Sequence, residues 1–219
     1  MNAVSVVEAA ERLGVNRSRV LQLIELDRLH AQKVGKQWIV DSESVERLRR
    51  LDRTPGRPYA ARNAWALLVL AAGREPGWTS RAEHERFQRV LESHSLEDLV
   101  PRLSRRADIA GWYVHPSLLK SLVDDTRTVA AGSSAVASLV DDGLVEIYVP
   151  ATAVSQISSD YHAEETADRP NVVCRSVHGP WPFGPGQRSA DGVVAAIDLL
   201  ELGDDPRRIR VGRELIAHA

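Results

Sequence analysis

Ser5-Val6-Val7-Glu8-Ala9-Ala10-Glu11-Arg12-Leu13-Gly14-Val15-Asn16-Arg17-Ser18-Arg19-Val20 decides the fold of the N-terminal part. Ser5 and Glu8 have the spacing of a capping box, in which each side chain satisfies a free N–H of the other's backbone, so a helix is predicted to start here. Ala9, Ala10 and Leu13 continue it. Gly14 follows, in the position where a helix closes through a left-handed residue. Asn16 is a strong N-cap and opens a second helix over about Arg17 to Asp27. On it Val20, Leu23 and Ile24 share one face. Ser18, Gln22 and Glu25 lie opposite, with Arg17 and Arg19 flanking them.

Outward from this pair, Gln32-Lys33-Val34, Gly35-Lys36 and Gln37-Trp38-Ile39-Val40 read as a hairpin around a glycine turn. Asp41 or Ser42 then caps a third helix through Val45 and Leu48, ending in Arg47, Arg49 and Arg50. Helix, tight turn, helix, hairpin, helix is the layout of a winged helix-turn-helix.

The run from Ser5 to Val20, with Leu29-His30-Ala31-Gln32-Lys33-Val34-Gly35-Lys36-Gln37-Trp38-Ile39-Val40, resembles the excisionase/MerR-type DNA-binding domain. Leu21 stands where that pattern commonly has an aromatic and Gln22 where it has arginine. The resemblance implies that duplex DNA, the chain's own promoter, is the partner. Arg17, Ser18, Arg19 and Gln22 would then lie in the major groove, where arginine reads guanine and glutamine reads adenine. Lys33, Lys36 and Gln37 belong to the wing, and Arg47, Arg49, Arg50 and Arg53 would add phosphate contacts. Trp38 is expected in the core.

Charge is unevenly divided along the chain. Residues 1–62 carry 12 basic and 8 acidic residues, a net of +4, and the remainder carries 16 and 22, a net of −6. A basic head on an acidic body suits two different partners. Arg53-Thr54-Pro55-Gly56-Arg57-Pro58 cannot continue a helix, so we expect a DNA-binding domain over 1–54, a linker over 55–62 and a second domain over 63–219. Of the 219 residues, 43% are hydrophobic and 26% charged, which is ordinary globular composition. The lone Cys174 excludes an internal disulfide framework and a multi-cysteine zinc site. No apolar run of 18 residues and no secretory leader is present, so no membrane partner is expected and the expected location is the cytoplasm.

In the second domain helices are expected over Ala60 to Ala72, from Thr79 or Ser80 through Leu91, over Leu96 to Ser104, and over Pro116 to Val123. Further helices follow from Gly132 to Val140, Ala151 to Ser158, Ala190 to Leu202 and Pro206 to Ala217. Strands are expected over Ile109 to His115, Thr126 to Ala130, Leu144 to Val149 and Asn171 to Val177. The fold class is therefore α+β, a small winged helix-turn-helix followed by a mixed α/β domain.

Gly132-Ser133 followed by Glu146-Ile147-Tyr148 faintly echoes a nucleotidyltransferase pattern, but Tyr148 stands where a second metal-binding carboxylate is needed. His162, Cys174 and His178 have no helix-borne ligand spacing. No catalytic residue, metal site or cofactor is expected, and the chain is read as a non-enzyme. Gly179-Pro180-Trp181-Pro182-Phe183-Gly184-Pro185-Gly186 is a stiff loop, and Trp181 and Phe183 are candidate anchors for a protein partner.

The tail Val193-Val194-Ala195-Ala196-Ile197-Asp198-Leu199-Leu200-Glu201-Leu202-Gly203-Asp204-Asp205-Pro206-Arg207-Arg208 resembles the C-terminal end of AbiEi-type antitoxins. That resemblance implies an autorepressing antitoxin whose C-terminal domain counteracts a nucleotidyltransferase-type toxin. The alternative is a one-component transcription regulator whose body binds a small effector. Monomer and homodimer both stay open.

Overall fold

The computed structural model describes residues 3–13, 15–25, 29–34, 37–42, 44–45, 57–136, 139, 143–166, 168–201 and 205–218. The chain divides into two compact units, Met1–Gly56 and Arg57–Ala219.

The first unit opens with a strand that the sequence did not announce, β1 (Ala3–Ser5), followed by α1 (Val6–Leu13) and α2 (Arg17–Glu25). Strands β2 (Ala31–Val34) and β3 (Gln37–Asp41) form the antiparallel wing, and β1 pairs with the other edge of β3. Ser5 Oγ accepts the Glu8 N–H at 3.1 Å, the first half of the expected capping box. The Glu8 carboxylate turns instead to Arg12, 2.6 Å away. Asp41 is the cap of the next helical segment, since its carboxylate accepts the Ser44 N–H at 3.0 Å. The core gathers Val4, Ala9, Ala10, Val20, Leu23, Leu29, Val40 and Val45. Each fully buried Val or Leu removes enough apolar surface from water to stabilise by about 1.5–3 kcal/mol. Leu48, Arg47, Arg49, Arg50 and Arg53 lie outside the described residues.

The second unit takes in the expected linker from Arg57 onward. Tyr59 donates its N–H to the Arg102 carbonyl at 2.9 Å and lies under that guanidinium, 4.1 Å from ring centroid to charge. Its elements are α3 (Ala61–Ala71), α4 (Arg81–Ser93), α5 (Leu96–Leu103), β4 (Asp108–Tyr113), α6 (Pro116–Val123), β5 (Val129–Ala130), β6 (Val145–Pro150), α7 (Val154–Asp160), β7 (Glu164–Glu165), β8 (Val172–Val177), α8 (Gly192–Glu201) and α9 (Pro206–Ala217). The sheet order is β5-β6-β8-β4-β7, with β6 and β8 parallel and the remaining pairs antiparallel. Register pairs Tyr148 with Arg175 and Ile147 with Cys174. Alternation therefore sends Tyr148 to one face and Ile147 to the other.

The Tyr148 face packs on Trp65, Leu68, Phe87, Leu99, Leu103, Val194 and Ile197 from α3, α4, α5 and α8. The Ile147 face packs on Leu122 of α6 and Ile157 of α7. Pro101 sits inside α5 without ending it.

The helix expected from Gly132 to Val140 is a correction. Gly132–Ala135 forms a 3₁₀ turn ending at an extended Val136, and residues 137, 138 and 140 lie outside the described set. The backbone at Gly132 is left-handed (φ 45°), and the side chains of Ser133 and Ser134 bond the carboxylate and the backbone N–H of Glu146 respectively. Those long-range bonds hold the turn in a shape that an α-helix would break.

Candidate nucleic-acid interface

The N-terminal unit shows its polar chemistry on one side of α2. Asn16 Oδ1 accepts the Arg19 N–H at 2.8 Å, so the cap that the sequence requires is made and the start of the helix is defined. Val15 N–H donates to the Ala10 carbonyl at 3.0 Å and closes the turn from α1. Because Val20 and Leu23 are fully buried, the helix can present only its opposite side, and Arg17, Ser18, Arg19, Leu21 and Gln22 are all exposed there. Arg19 Nη1 reaches Gln22 Oε1 at 3.4 Å. The first turn of α2 carries no acidic residue, so a phosphate or base edge meets helix N–H groups and guanidinium groups without an opposing carboxylate.

On the wing, Lys33 is exposed and its Nζ lies over the half-buried Trp38 ring, 5.8 Å from the centroid. The stem is thus supported by the ring while the charge stays in water. Lys36 lies outside the described residues, and Gln37 is placed at the start of β3. The structure thus gathers Arg17, Ser18, Arg19 and Gln22 on one helix, and puts Lys33 on a separate element.

A second assembly of functional groups lies in the other unit, and sequence reading missed it. Arg106, Arg175, Glu146, Asp198 and Tyr148 are fully buried, with Arg208 nearly so. Arg106 donates to Asp198 at 2.6 Å, to Glu201 at 2.7 and 3.0 Å, and through Nε to the Tyr148 hydroxyl at 3.1 Å. Arg175 donates to Glu201 at 2.8 Å, and Arg208 to Glu146 at 2.6 Å. Tyr148 donates to Asp198, and Gly132 N–H reaches the other Asp198 oxygen at 3.1 Å. Burial pushes the Tyr148 phenol far above its ordinary range, so it stays protonated and donates. Three arginines face three carboxylates, of which Glu146 and Asp198 are fully buried, so the charge balances within the unit. Asp198 and Arg208 both fall within the tail from Val193 to Arg208, yet no local spacing announces their partners on β6 and near α5.

This arrangement brings the Gly132–Ser133 turn to Glu146, as a nucleotidyltransferase-like pattern would. However, Glu146 Oε1 accepts from Ser133 N–H and Oγ and from Arg208. The Glu146 carboxylate is thus engaged in structural contacts, with Oε2 3.5 Å from Arg175. Among the described residues no group of three or more His, Cys, Asp or Glu is placed to hold one. Cys174 is buried between β6 and β4, with its thiol pushed up to about 12 by desolvation.

The aromatic loop turns inward. Phe183 is 5% exposed and packs on Trp65 and Tyr148, with centroids at 5.5 and 5.2 Å. Trp181 is half-buried and leans edge-on against Phe183 at 5.0 Å. As a correction to the expected pair of anchors, Phe183 is a core residue, because the core has a socket for it beside Trp65.

The N-terminal unit has the architecture of a helix-turn-helix domain with an antiparallel wing. A family model described as a helix-turn-helix domain matches residues 3–50, wholly within that unit. No curated protein and no solved structure matches the chain. No helix among the described residues is long and apolar enough to cross a membrane.

Proposed function

We propose that this chain is a sequence-specific, DNA-binding transcriptional regulator acting in the cytoplasm, with a non-enzymatic C-terminal body. The observation that supports it is the Asn16-capped α2, whose exposed side carries Arg17, Ser18, Arg19 and Gln22 opposite the buried Val20 and Leu23. The second helix of such a domain enters the major groove, and the wing lysines meet phosphates. The test is binding of the full chain to its own promoter duplex across a range of salt. Replacing Lys33 and Lys36 with alanine should weaken binding to all sequences and flatten the log–log salt slope by about 2. Arg17→Ala should cost ~1–3 kcal/mol and relax one position of the selected site. Salt-independent binding, or an unchanged site with Arg17→Ala, refutes the respective part.

The finer proposal is an autorepressing antitoxin paired with a nucleotidyltransferase-type toxin. It is supported by the resemblance of Val193 to Arg208 and by the acidic body, whose charge favours association with a basic partner. Co-purification of the neighbouring gene's product with the tagged full chain tests it. The one-component alternative draws on a surface hollow of about 360 Å³ between α3 and α4, lined by Leu70, Gln88, Leu91 and Glu92.

A further inference from the structure

Three large apolar side chains of the first unit are exposed among the described residues: Val7, Leu21 and Ile39. Only Leu21 lies on α2. It is 37% exposed and outside the core cluster that holds Val20 and Leu23. Residues three and four apart on a helix are neighbours, so Leu21 sits beside Ser18 and Arg17, while Gln22, the next residue, is turned about 100° further around the exposed side. Helical side chains lean toward the N-terminus, which carries the isobutyl group over the Arg17–Ser18 turn. That end of a recognition helix touches base edges. Leu21 is 37% exposed, so part of the isobutyl group is left uncovered in the free domain, and that part gains when an apolar group covers it. In the major groove one base edge offers an apolar group, the C5 methyl of thymine.

We propose that Leu21 is a base-reading residue that takes the C5 methyl of a thymine, beside the base read by Gln22. This deepens the proposed function and rests on α2 entering the major groove.

The test uses the full chain. A site is first selected from random duplex DNA, and each thymine in it is then replaced in turn by deoxyuridine, which lacks only the methyl group. One such position should weaken wild-type binding about fourfold, the equivalent of one methyl group left in water (~0.8 kcal/mol). Leu21→Ala should bind thymine and uracil equally at that position while keeping the wild-type salt slope. The substitution is on an exposed helix face and alanine is the better helix former, so the variant folds. The proposal is overturned if no uracil position affects the wild type, or if Leu21→Ala retains the full discrimination. If selection returns no site at all while salt-dependent binding persists, sequence-specific reading itself has failed and the proposal falls with it.

Discussion

Asp198→Asn should be among the most damaging single-atom changes in the second unit. The wild-type carboxylate has no exposure and accepts from Arg106 at 2.6 Å, from Tyr148 and from Gly132 N–H at 3.1 Å, with Arg175 Nε 3.8 Å away. The amide fills the same volume, so no cavity term enters. What changes is charge: three buried arginines would face only Glu146 and Glu201. Removing one partner of a buried pair costs about 3–5 kcal/mol, because the remaining charge stays dehydrated. The new NH₂ must also meet a donor, either Gly132 N–H or the Arg106 and Tyr148 groups, and a lost buried hydrogen bond costs about 1–3 kcal/mol. The two effects overlap, so we expect about 4 kcal/mol in all, against a total domain stability of about 5–15 kcal/mol. Equilibrium urea unfolding of the full chain measures it. In a Trp38→Phe background every remaining tryptophan belongs to the second unit, so fluorescence follows that unit alone. Arg213→Ala is the control: it removes an exposed ion pair with Glu97 (2.8 Å) and should cost under about 1 kcal/mol. A loss under about 1 kcal/mol for Asp198→Asn would refute the view that the network's charge balance holds α8 to the sheet.

Gly132→Ala should destabilise the second unit by more than about 2 kcal/mol in the same assay, since the backbone is left-handed and a Cβ would come within 2.3 Å of the Glu146 carboxylate. Cys174 should resist alkylation at neutral pH until the chain unfolds. With its pKa raised from 9.0 to about 12, it also contributes stability that is present below about pH 9 and is lost as pH rises toward 12, which alkaline melting curves check. Glu83 is held down at about 2, first by its hydrogen bond with Arg62 and then by its capping bonds to Ser80. Its contribution is present above pH 4.5 and is lost as pH falls toward 2. Glu83→Gln should flatten that acid limb in acid titrations followed by circular dichroism.

The helix-turn-helix layout of the N-terminal unit was legible because its determinants are local. A capping side chain reaches only three residues, so Ser5 with Glu8, and Asn16 ahead of Arg17, mark helix starts whatever surrounds them. The 3.6-residue period then sends Val20 and Leu23 inward and Ser18 and Gln22 outward. The same local signals put the cap of α4 at Thr79 or Ser80, of which the structure uses Ser80, and the start of α6 at Pro116. Strands β1 and β7, of three and two residues, were not legible, because so short a run has no alternation and exists only through pairing with β3 and β4. Leu21 was visible as a departure from a pattern, but its exposure is a property of the packed unit.

Sequence by itself determined where the capped helices α2, α4 and α6 start, the winged layout and the separation of a basic head from an acidic body. Tertiary structure alone decided that Gly132 to Ala135 is a 3₁₀ turn, that Phe183 is core, and that Arg106, Glu146, Arg175, Asp198, Glu201 and Arg208 share one buried network. These groups are separated by up to about a hundred positions along the chain. A charge in the sequence carries no mark of burial, and water would satisfy each of these groups equally well. Only the closing of α8 and α9 over the sheet removes that water and leaves each arginine a carboxylate as its alternative.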